Sequence, residues 1–347
     1  MNEMTHAEAL QVSPETKCPR PWLVADIGGT NARFGWLAPE SKQVQHVQTF
    51  PALAYAGPAE AARAYLEGLA VTIGSGFRAP RAAAFAVATA VGSDRISFTN
   101  SGWSFSREAT LDALALDELL ILNDFEALAL SLPHLRDDQV RTVGPVGLAV
   151  PKAAMAVIGP GTGLGVAGIV HAEAGWVAVP GEGGHASLSA ADDFEAALLA
   201  AVRQDYDHVS AERLLSGIGL PVLHRALSRV QDRVLSPLLA AEVIVDRGLA
   251  RQDEDCSQTL DVFCALLGSF AGNVALTMGA RGGVYIGGGI VPRLGERFFE
   301  SAFRARFEAK GRFQNYLRSI PTFLITDTLV ALSGTQVALE QRSRDSA

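Results

Sequence analysis

Short apolar runs separated by glycine-rich turns dominate the first half of the chain. The residues from Pro21 to about Leu37 form two such runs around the turn Asp26–Asn31, and this pattern predicts a β-hairpin. Arg81–Val91 is apolar almost throughout, which is typical of a central strand buried on both faces. The pattern also predicts strands over Val44–Phe50 and Leu119–Leu122, and helices over Ala59–Leu69 and Asp112–Leu119. This order of elements indicates an α/β lobe with a mixed sheet.

The second half begins with another glycine turn and then becomes largely helical. Gly159–Gly165 follows the apolar run Ala156–Ile158, and we predict strands from there as far as Val179. In Cys256–Met278 apolar residues recur at helical spacing, which predicts a long helix facing the core. Helices are also predicted over Ala191–Val202 and Pro237–Arg247, and a strand over Val284–Ile286. The repeated unit of strand, glycine turn and strand suggests two structurally similar halves.

Composition narrows the class of protein. A chain of 347 residues with 48% hydrophobic content exceeds what one core usually serves, so we expect two lobes. The net charge of −8 argues against a nucleic-acid partner. Three cysteines without zinc-site spacing fit a reduced, cytoplasmic setting. We expect residues 1–20 to form a flexible polar tail rather than a secretory signal, and no apolar stretch favours a membrane span because Ala82–Gly92 is too short and Ala153–Val170 too rich in glycine.

The two glycine–threonine turns are candidate phosphate sites. Glycine lets backbone N–H groups approach an anion, and threonine adds a hydroxyl donor. Either turn alone is equally well explained as an ordinary hairpin turn. The P-loop pattern is missing from the sequence, and the GxGxxG spacing at Gly163–Gly168 is followed by a strand pattern. A dinucleotide site needs a helix directly after that motif, so we do not predict one here.

Polar residues at the ends of apolar runs are candidate catalytic and binding groups. Asn123 and Asp124 close the run Leu119–Leu122, where an aspartate can accept a proton from a hydroxyl or simply cap the next helix. Glu182 and His185 lie on a glycine-rich loop that suits a polar ligand, although a lone histidine is more often a structural donor. The pattern around Glu212 alone indicates only a capping or exposed helix residue.

Seven ordered motifs between about Trp22 and Leu339 resemble those of bacterial glucokinases of the hexokinase-like type, in the actin, Hsp70 and sugar-kinase superfamily. They are ADIGGTNARFG, TNSGWSFS, LNDFEA, GPGTGLGVA, PGEGGHASL, HVSAERLLSG and GGVYIGGGIVPR. The resemblance implies a two-lobed α/β structure with the actin-like ATPase (ribonuclease H-like) fold. A smaller α/β lobe over 21–133 and about 326–345, and a larger α+β lobe over 134–325, would enclose a cleft.

The resemblance also assigns roles to individual residues. It implies a first phosphate loop formed by Ala25, Asp26, Ile27, Gly28, Gly29 and Thr30. A second phosphate loop would be formed by Gly161, Thr162 and Gly163, and the adenosine would contact Gly287, Gly288 and Gly289. The implied glucose ligands are Asn123, Asp124, Glu182, His185 and Glu212. Asp124 matches the catalytic base, and Asp26 would hold Mg²⁺ through water.

The implied activity is Mg-ATP-dependent phosphorylation of the 6-hydroxyl of D-glucose, the first step of glycolysis, by a cytoplasmic homodimer. A kinase for another hexose such as fructose or mannose stays open, as do polyphosphate or ADP as donors. A non-catalytic sugar-binding regulator is disfavoured because Asp124 and both phosphate loops are retained. A sugar-sensing repressor is not expected, because the cysteine-rich zinc loop is missing from the sequence and the residues before Trp22 are too few for a helix-turn-helix domain. That segment is also longer than the usual start of the family.

Overall fold

The computed structural model describes residues 20–89, 92, 94–98, 103–145, 147–233 and 238–344. The predicted tail, except Arg20, lies outside these residues, as do the first four residues of TNSGWSFS and Pro237. The chain divides into two units. The first comprises the described residues up to Leu122 and from Thr335 onwards, and the second comprises Asn123–Gly334. The lobe limits implied by the resemblance stay a prediction.

The first unit is built on a five-stranded sheet with a separate two-stranded ribbon. Its strands are β1 (Trp22–Ile27), β2 (Asn31–Leu37), β3 (Gln45–Pro51), β4 (Ala82–Val87), β5 (Arg95–Ser97), β6 (Ser104–Ser106) and β7 (Glu118–Asn123). The sheet order is β3-β2-β1-β4-β7, with β1 antiparallel to β2 and parallel to β4. Every residue of β4 is buried, which confirms a central strand within the predicted run Arg81–Val91, although the strand ends at Val87. Ala90 and Val91 lie outside the described residues. The predicted hairpin around Asp26–Asn31 is also confirmed.

The first helices show how local capping sets element bounds. Helix α1 spans Pro58–Ile73, longer than predicted. The helix predicted over Asp112–Leu119 is wrong in its bounds, because α2 spans Arg107–Leu114. The Ser106 hydroxyl accepts the Ala109 N–H at 3.2 Å and caps its start, while the left-handed Ala115 (φ 50°) ends it. Leu119 therefore belongs to β7.

The second unit is built on a six-stranded sheet. Its strands are β8 (Val140–Thr142), β9 (Met155–Pro160), β10 (Leu164–Ala172), β11 (Gly175–Gly181), β12 (Gly283–Ile286) and β13 (Thr322–Ile325), in the order β11-β10-β9-β12-β13-β8. Helix α3 (Asp124–Ser131) packs on β9, β10 and β11. Strand β10 runs straight through the GxGxxG spacing, so the expected strand there is confirmed and the dinucleotide interpretation fails.

Helices form the rest of this unit. They are α4 (Asp193–Val202), α5 (Leu220–Val230), α6 (Ala241–Leu249), α7 (Glu254–Met278), α8 (Ile290–Leu294), α9 (Glu296–Glu300), α10 (Phe303–Glu308), α11 (Gln314–Ser319) and α12 (Val330–Arg344). From Thr335 onwards α12 belongs to the first unit. Among the described residues α7 is the one helix apolar and long enough to cross a membrane, but 72% of its most apolar stretch is buried inside the protein. Its burial confirms the predicted core helix.

A buried arginine joins the last helices to the sheet. Arg304 on α10 is 8% exposed, and its guanidinium donates to the backbone carbonyls of Leu317, Arg318 and Ile320 and to the hydroxyl of Thr322. It also pairs with Glu308 at 2.7 Å. The donors of this cation are thereby matched by acceptors, which a buried charge requires.

Arg304→Met should lower the free energy of unfolding by about 3 to 5 kcal/mol, because it removes these bonds and leaves the Glu308 carboxylate short of a partner. Urea unfolding followed by circular dichroism measures the change. Arg318→Met is the matched control, since Arg318 pairs with the same carboxylate from a side chain that is 57% exposed. We expect a loss below about 1 kcal/mol for it, and equal losses for the two variants would contradict the role of Arg304.

Candidate active site

The second glycine turn joins β9 to β10. Pro160 and Leu164 are the last paired residues, so Gly161–Gly163 forms the turn itself. The Gly161 N–H donates to the Gly163 carbonyl at 2.9 Å, which uses that donor inside the turn. A Cβ added to Gly161 would meet nothing within 4 Å, so the turn presents bare backbone there.

The start of α3 lies against this hairpin. A Cβ on Gly159 or Gly165 would overlap the ring of Phe125, so the ring packs directly on the backbone of β9 and β10. Asn123 caps α3, since its Oδ1 accepts the Phe125 N–H at 2.9 Å. Asp124 is thus the first residue of the helix rather than its cap, and its Oδ1 accepts the same N–H at 3.0 Å. The two candidate sugar ligands are fixed to the hairpin through Phe125.

Glu126 completes this helix start. Its carboxylate accepts the backbone N–H of Asn123, which is one of the two hydrogen bonds of a capping box. Burial raises the pKa of Glu126 above its ordinary value, and the hydrogen bond from Asn123 opposes the rise. The cap therefore supports the segment that carries Asp124.

Three predicted sugar ligands form one cluster. His185 lies between two carboxylates, with Nδ1 at 3.8 Å from Glu212 Oε1 and Nε2 at 3.9 Å from Glu182 Oε2. Both distances exceed hydrogen-bond length, so the groups converge without satisfying one another. The side chains of His185 and Glu182 are 61% and 70% exposed, whereas that of Glu212 is 21% exposed. The other oxygen of Glu212 accepts the Leu164 N–H at 2.9 Å.

Backbone bonds hold the two loops of this cluster together. The Glu212 N–H donates to the Gly184 carbonyl and the Ala211 N–H to the Ala186 carbonyl, each at 2.9 Å. A Cβ on Gly184 would overlap the Leu164 carbonyl oxygen, so the loop can lie on β10 only with glycine at this position. The glycines of the PGEGGH motif thus place Glu182 and His185 beside the start of β10.

The third glycine run meets the second turn at a pocket of about 430 Å³. Gly288 is in the left-handed region (φ 75°), and a Cβ there would overlap the Pro160 carbonyl. The Gly287 N–H donates to the Ile158 carbonyl at 2.8 Å. The pocket is lined by residues of both runs and of α5, α6 and α8, namely Gly161, Thr162, Gly217, Ile218, Leu220, Ala241, Glu242, Val245, Gly289, Ile290 and Arg293. Gly161, Thr162 and Gly289 therefore share one pocket.

The first glycine turn belongs to the first unit. Gly28 donates its N–H to the Asn31 carbonyl at 2.9 Å, as Gly161 does within the second turn. Asp26 lies directly across the hairpin from Arg33, and Arg33 Nη1 contacts Asp26 Oδ2 at 3.0 Å. Burial raises the pKa of Asp26 above its ordinary value, while the Arg33 guanidinium acts to lower it. Thr30 is exposed at the tip.

The second unit brings together most of the predicted site residues. Asn123, Asp124, Glu182, His185 and Glu212 all lie on segments that contact the β9–β10 hairpin or its flanking loops. Sequence reasoning missed the contacts of Phe125, Arg33, Glu242 and Arg293. Arg33 could have been found from the register of a short hairpin, but the pocket residues come from distant helices and carry no local signal.

Comparisons with known proteins agree with this architecture. Residues 23–342 match the protein-family model described as Glucokinase. A glucokinase of Neisseria meningitidis is 45% identical over 336 residues, covering 96% of this chain and 99% of its own. The crystal structure of a glucokinase from an Antarctic psychrotroph is 36% identical, covers 92% of this chain and 98% of its own, and superimposes with a TM-score of 0.83.

A more distant structure extends the comparison of folds. A ROK-family glucokinase from Streptomyces griseus, solved in complex with glucose and AMPPNP, is 16% identical, covers 93% of this chain and 100% of its own, and has a TM-score of 0.57. The actin-like ATPase fold expected from the sequence is thereby confirmed.

Gly165→Ala should destabilise the protein by about 1 to 3 kcal/mol, because the new methyl group would overlap the Phe125 ring and displace the start of α3. Gly161→Ala is the matched control within the same hairpin, since its methyl group meets open space. Thermal unfolding without ligand measures both. A stable Gly165→Ala, or equal losses in the two variants, would contradict the packing described here.

Proposed function

The chain belongs to the glucokinase family, and from that premise we propose how its residues perform the reaction. It is a glucokinase-type sugar kinase, an ATP-dependent phosphotransferase. We propose that it transfers the γ-phosphoryl group of ATP to the 6-hydroxyl of D-glucose. The observation that supports this most is that one hairpin forms the turn Gly161–Gly163 and also contacts both the start of α3, which carries Asp124, and the carboxylate of Glu212.

Asp124 is proposed as the general base. Phosphoryl transfer depends mainly on positioning the reactants and on neutralising charge. The carboxylate of Asp124, held at the start of α3, would accept the proton of the 6-hydroxyl as its oxygen attacks the γ-phosphorus. The adjacent Asn123 amide would orient the same sugar.

Glu182, His185 and Glu212 are proposed to bind the remaining hydroxyls. A sugar hydroxyl both donates and accepts, so it can bridge an imidazole nitrogen and a carboxylate oxygen. The separations of 3.8 and 3.9 Å around His185 are too long for direct hydrogen bonds between these side chains. The cluster therefore gains its hydrogen bonds from a polyhydroxylated ligand.

The glycine turns are proposed to bind the phosphates through selected donors. The Gly28 and Gly161 N–H groups are engaged inside their turns. We therefore assign phosphate contact to the N–H groups and hydroxyls that follow, those of Gly29 and Thr30 in Ala25–Thr30 and of Thr162 and Gly163 in the second turn. Gly287, Gly288 and Gly289 are assigned to the adenosine, because Gly289 lines the same pocket as Thr162.

A magnesium ion carried by the nucleotide fits the residues present. Among the residues that the structure describes, no group of three or more His, Cys, Asp or Glu side chains could hold a metal by itself. Mg²⁺ is commonly held by one or two carboxylates, phosphates and water, and Asp26 offers one carboxylate beside the first turn. We propose that Asp26 holds Mg²⁺ through water, and the bound ion would neutralise phosphate charge.

We also propose that the enzyme acts in the cytoplasm, as a homodimer, at the first step of glycolysis. The burial of α7 in the core supports a soluble enzyme, and the full-length similarity to glucokinases supports the metabolic role. Sedimentation velocity of the purified chain measures the dimer directly.

Turnover assays with ATP on glucose, mannose, fructose and N-acetylglucosamine test the proposed substrate. We expect glucose to give the highest kcat/KM. A higher value for fructose or mannose would make the enzyme a kinase for another hexose, and ligand binding without turnover would point to a regulator. Replacing ATP by ADP or polyphosphate tests the donor in the same assay.

Asp124→Asn should lower kcat by about 10²- to 10⁴-fold, because an amide cannot accept the proton. Glucose affinity and apo stability should change little, since the amide oxygen can still accept the Phe125 N–H. Glucose 6-phosphate formation and calorimetric titration of glucose measure the two effects. Asp193→Asn is the matched control, because Asp193 is the exposed first residue of α4. A variant that keeps more than a tenth of the wild-type kcat would exclude Asp124 as the base.

His185→Ala should weaken glucose binding by about 5- to 150-fold, because the sugar hydroxyl proposed to contact the imidazole loses its partner. The side chain is largely exposed, so the melting temperature without ligand should stay within about 1 °C of wild type. Calorimetry with glucose and its deoxy analogues is the measurement, and one analogue should bind equally to both proteins. His208→Ala, on the neighbouring loop, is the control. A lower apo melting temperature with unchanged affinity would assign His185 a structural role.

A further inference from the structure

Glu212 connects the candidate sugar site of the second unit to its candidate phosphate turn. Its Oε1 faces His185 in the sugar-binding cluster at 3.8 Å. Its Oε2 accepts the backbone N–H of Leu164 at 2.9 Å. Leu164 is the residue directly after the turn Gly161–Gly163. One carboxylate is therefore shared by the candidate sugar site and the candidate phosphate turn.

The identity of residue 163 makes this contact possible. A Cβ on Gly163 would overlap Glu212 Oε2 and come within 3.3 Å of its carboxyl carbon. Gly163 does not adopt a left-handed backbone, so the conformation of the chain alone does not require glycine there. Gly161, in the same turn, faces open space instead. The approach of Glu212 is therefore a reason for glycine at position 163, and no such steric reason applies at position 161.

Two further hydrogen bonds involve the same segments. The Ser216 hydroxyl donates to the Glu212 carbonyl at 2.7 Å, and the Gly217 N–H donates to the Gly161 carbonyl at 2.7 Å. The segment 212–217 is thus bound to the first residue of the turn through backbone and to the residue after the turn through the Glu212 side chain. A displacement of the turn must move Glu212, and the reverse holds as well.

We propose that Gly163 and the Leu164 N–H are positioning groups for the sugar-binding carboxylate, and that sugar and nucleotide binding are coupled through them. The proposal rests on the proposed function, in which Glu212 binds glucose and the turn binds phosphate. Glucose held by Glu212 fixes the carboxylate against Leu164 and so orders the turn for phosphate. The coupling is reciprocal, since each ligand changes the affinity of the other by the same factor.

The first experiment measures glucose binding to the full chain by calorimetry without nucleotide. Gly163→Ala should weaken binding by about 5- to 150-fold although the residue lies in the phosphate turn, because the methyl group displaces Glu212. Gly161→Ala should leave glucose affinity within about 2-fold of wild type, since its methyl group disturbs no protein atom. Equal effects of the two substitutions would overturn the proposal.

A rescue variant separates displacement of the carboxylate from general damage to the turn. Glu212→Asp withdraws the carboxylate by one methylene group, which relieves the overlap with a side chain at position 163. The factor by which Gly163→Ala weakens glucose binding should therefore be at least about 5-fold smaller in the Glu212→Asp background than in wild type. Equal costs in the two backgrounds would overturn the proposal, even if Gly163→Ala alone weakens binding.

The second experiment measures glucose affinity with and without saturating AMPPNP. We expect the wild-type dissociation constant for glucose to fall by about 5-fold or more with AMPPNP, and this factor to approach one in Gly163→Ala. A factor that survives the substitution would overturn the proposed route of coupling. Wild-type protein that binds no glucose would overturn the proposed function itself, whereas normal wild-type binding with an unaltered Gly163→Ala would overturn this inference alone.

Discussion

The candidate active site depends on the close approach of other groups to the backbone of one hairpin. Strands β9 and β10 have no side chains at Gly159 and Gly165, where the Phe125 ring lies against them, and the turn between them has none at Gly163, where the Glu212 carboxylate lies. Glycine is costly in strands because it loses conformational entropy and buries no side chain. Glycine recurs in this hairpin because the Phe125 ring and the Glu212 carboxylate occupy the space that its side chains would fill. The hairpin thereby fixes a helix carrying Asp124 and a loop carrying Glu212.

The two glycine–threonine turns look alike in sequence and share one hydrogen-bonding feature. In each, the N–H of an early turn glycine, Gly28 or Gly161, bonds to a backbone carbonyl of the same turn. They differ in what lies beside them, because Asp26 is paired with Arg33 in the first turn while the second is bonded to the loop after Glu212. The expected internal similarity therefore holds for the strand–turn–strand unit, and the neighbouring side chains give each turn its own chemistry.

The sequence predicted the strands well where local pattern and burial coincide. Strand β4 and the hairpin around Asp26–Asn31 are apolar runs bounded by turns, and helix α7 has a long apolar face, so each could be identified from periodicity. The bounds of α2 could not, because the Ser106 cap competes with the stronger apolar pattern further along. Short elements such as β8 and α9 carry little signal of their own. Helix α11 depends on tertiary contacts, since Arg304 donates to the carbonyls of Leu317 and Arg318.

The site residues were identified from motifs rather than from physical pattern, and the structure gives a reason. The pocket lining includes one acidic and one basic side chain, Glu242 and Arg293, so charged side chains give it no strong bias toward an anion. In a chain of net charge −8, affinity for phosphate must then come largely from oriented backbone N–H groups. Backbone geometry depends on which positions are glycine, so the order of the glycine runs carries the information that the motifs use. The side chains of Glu182 and Glu212 acquire meaning only from that backbone, since a glutamate on a loop or a helix is otherwise unremarkable.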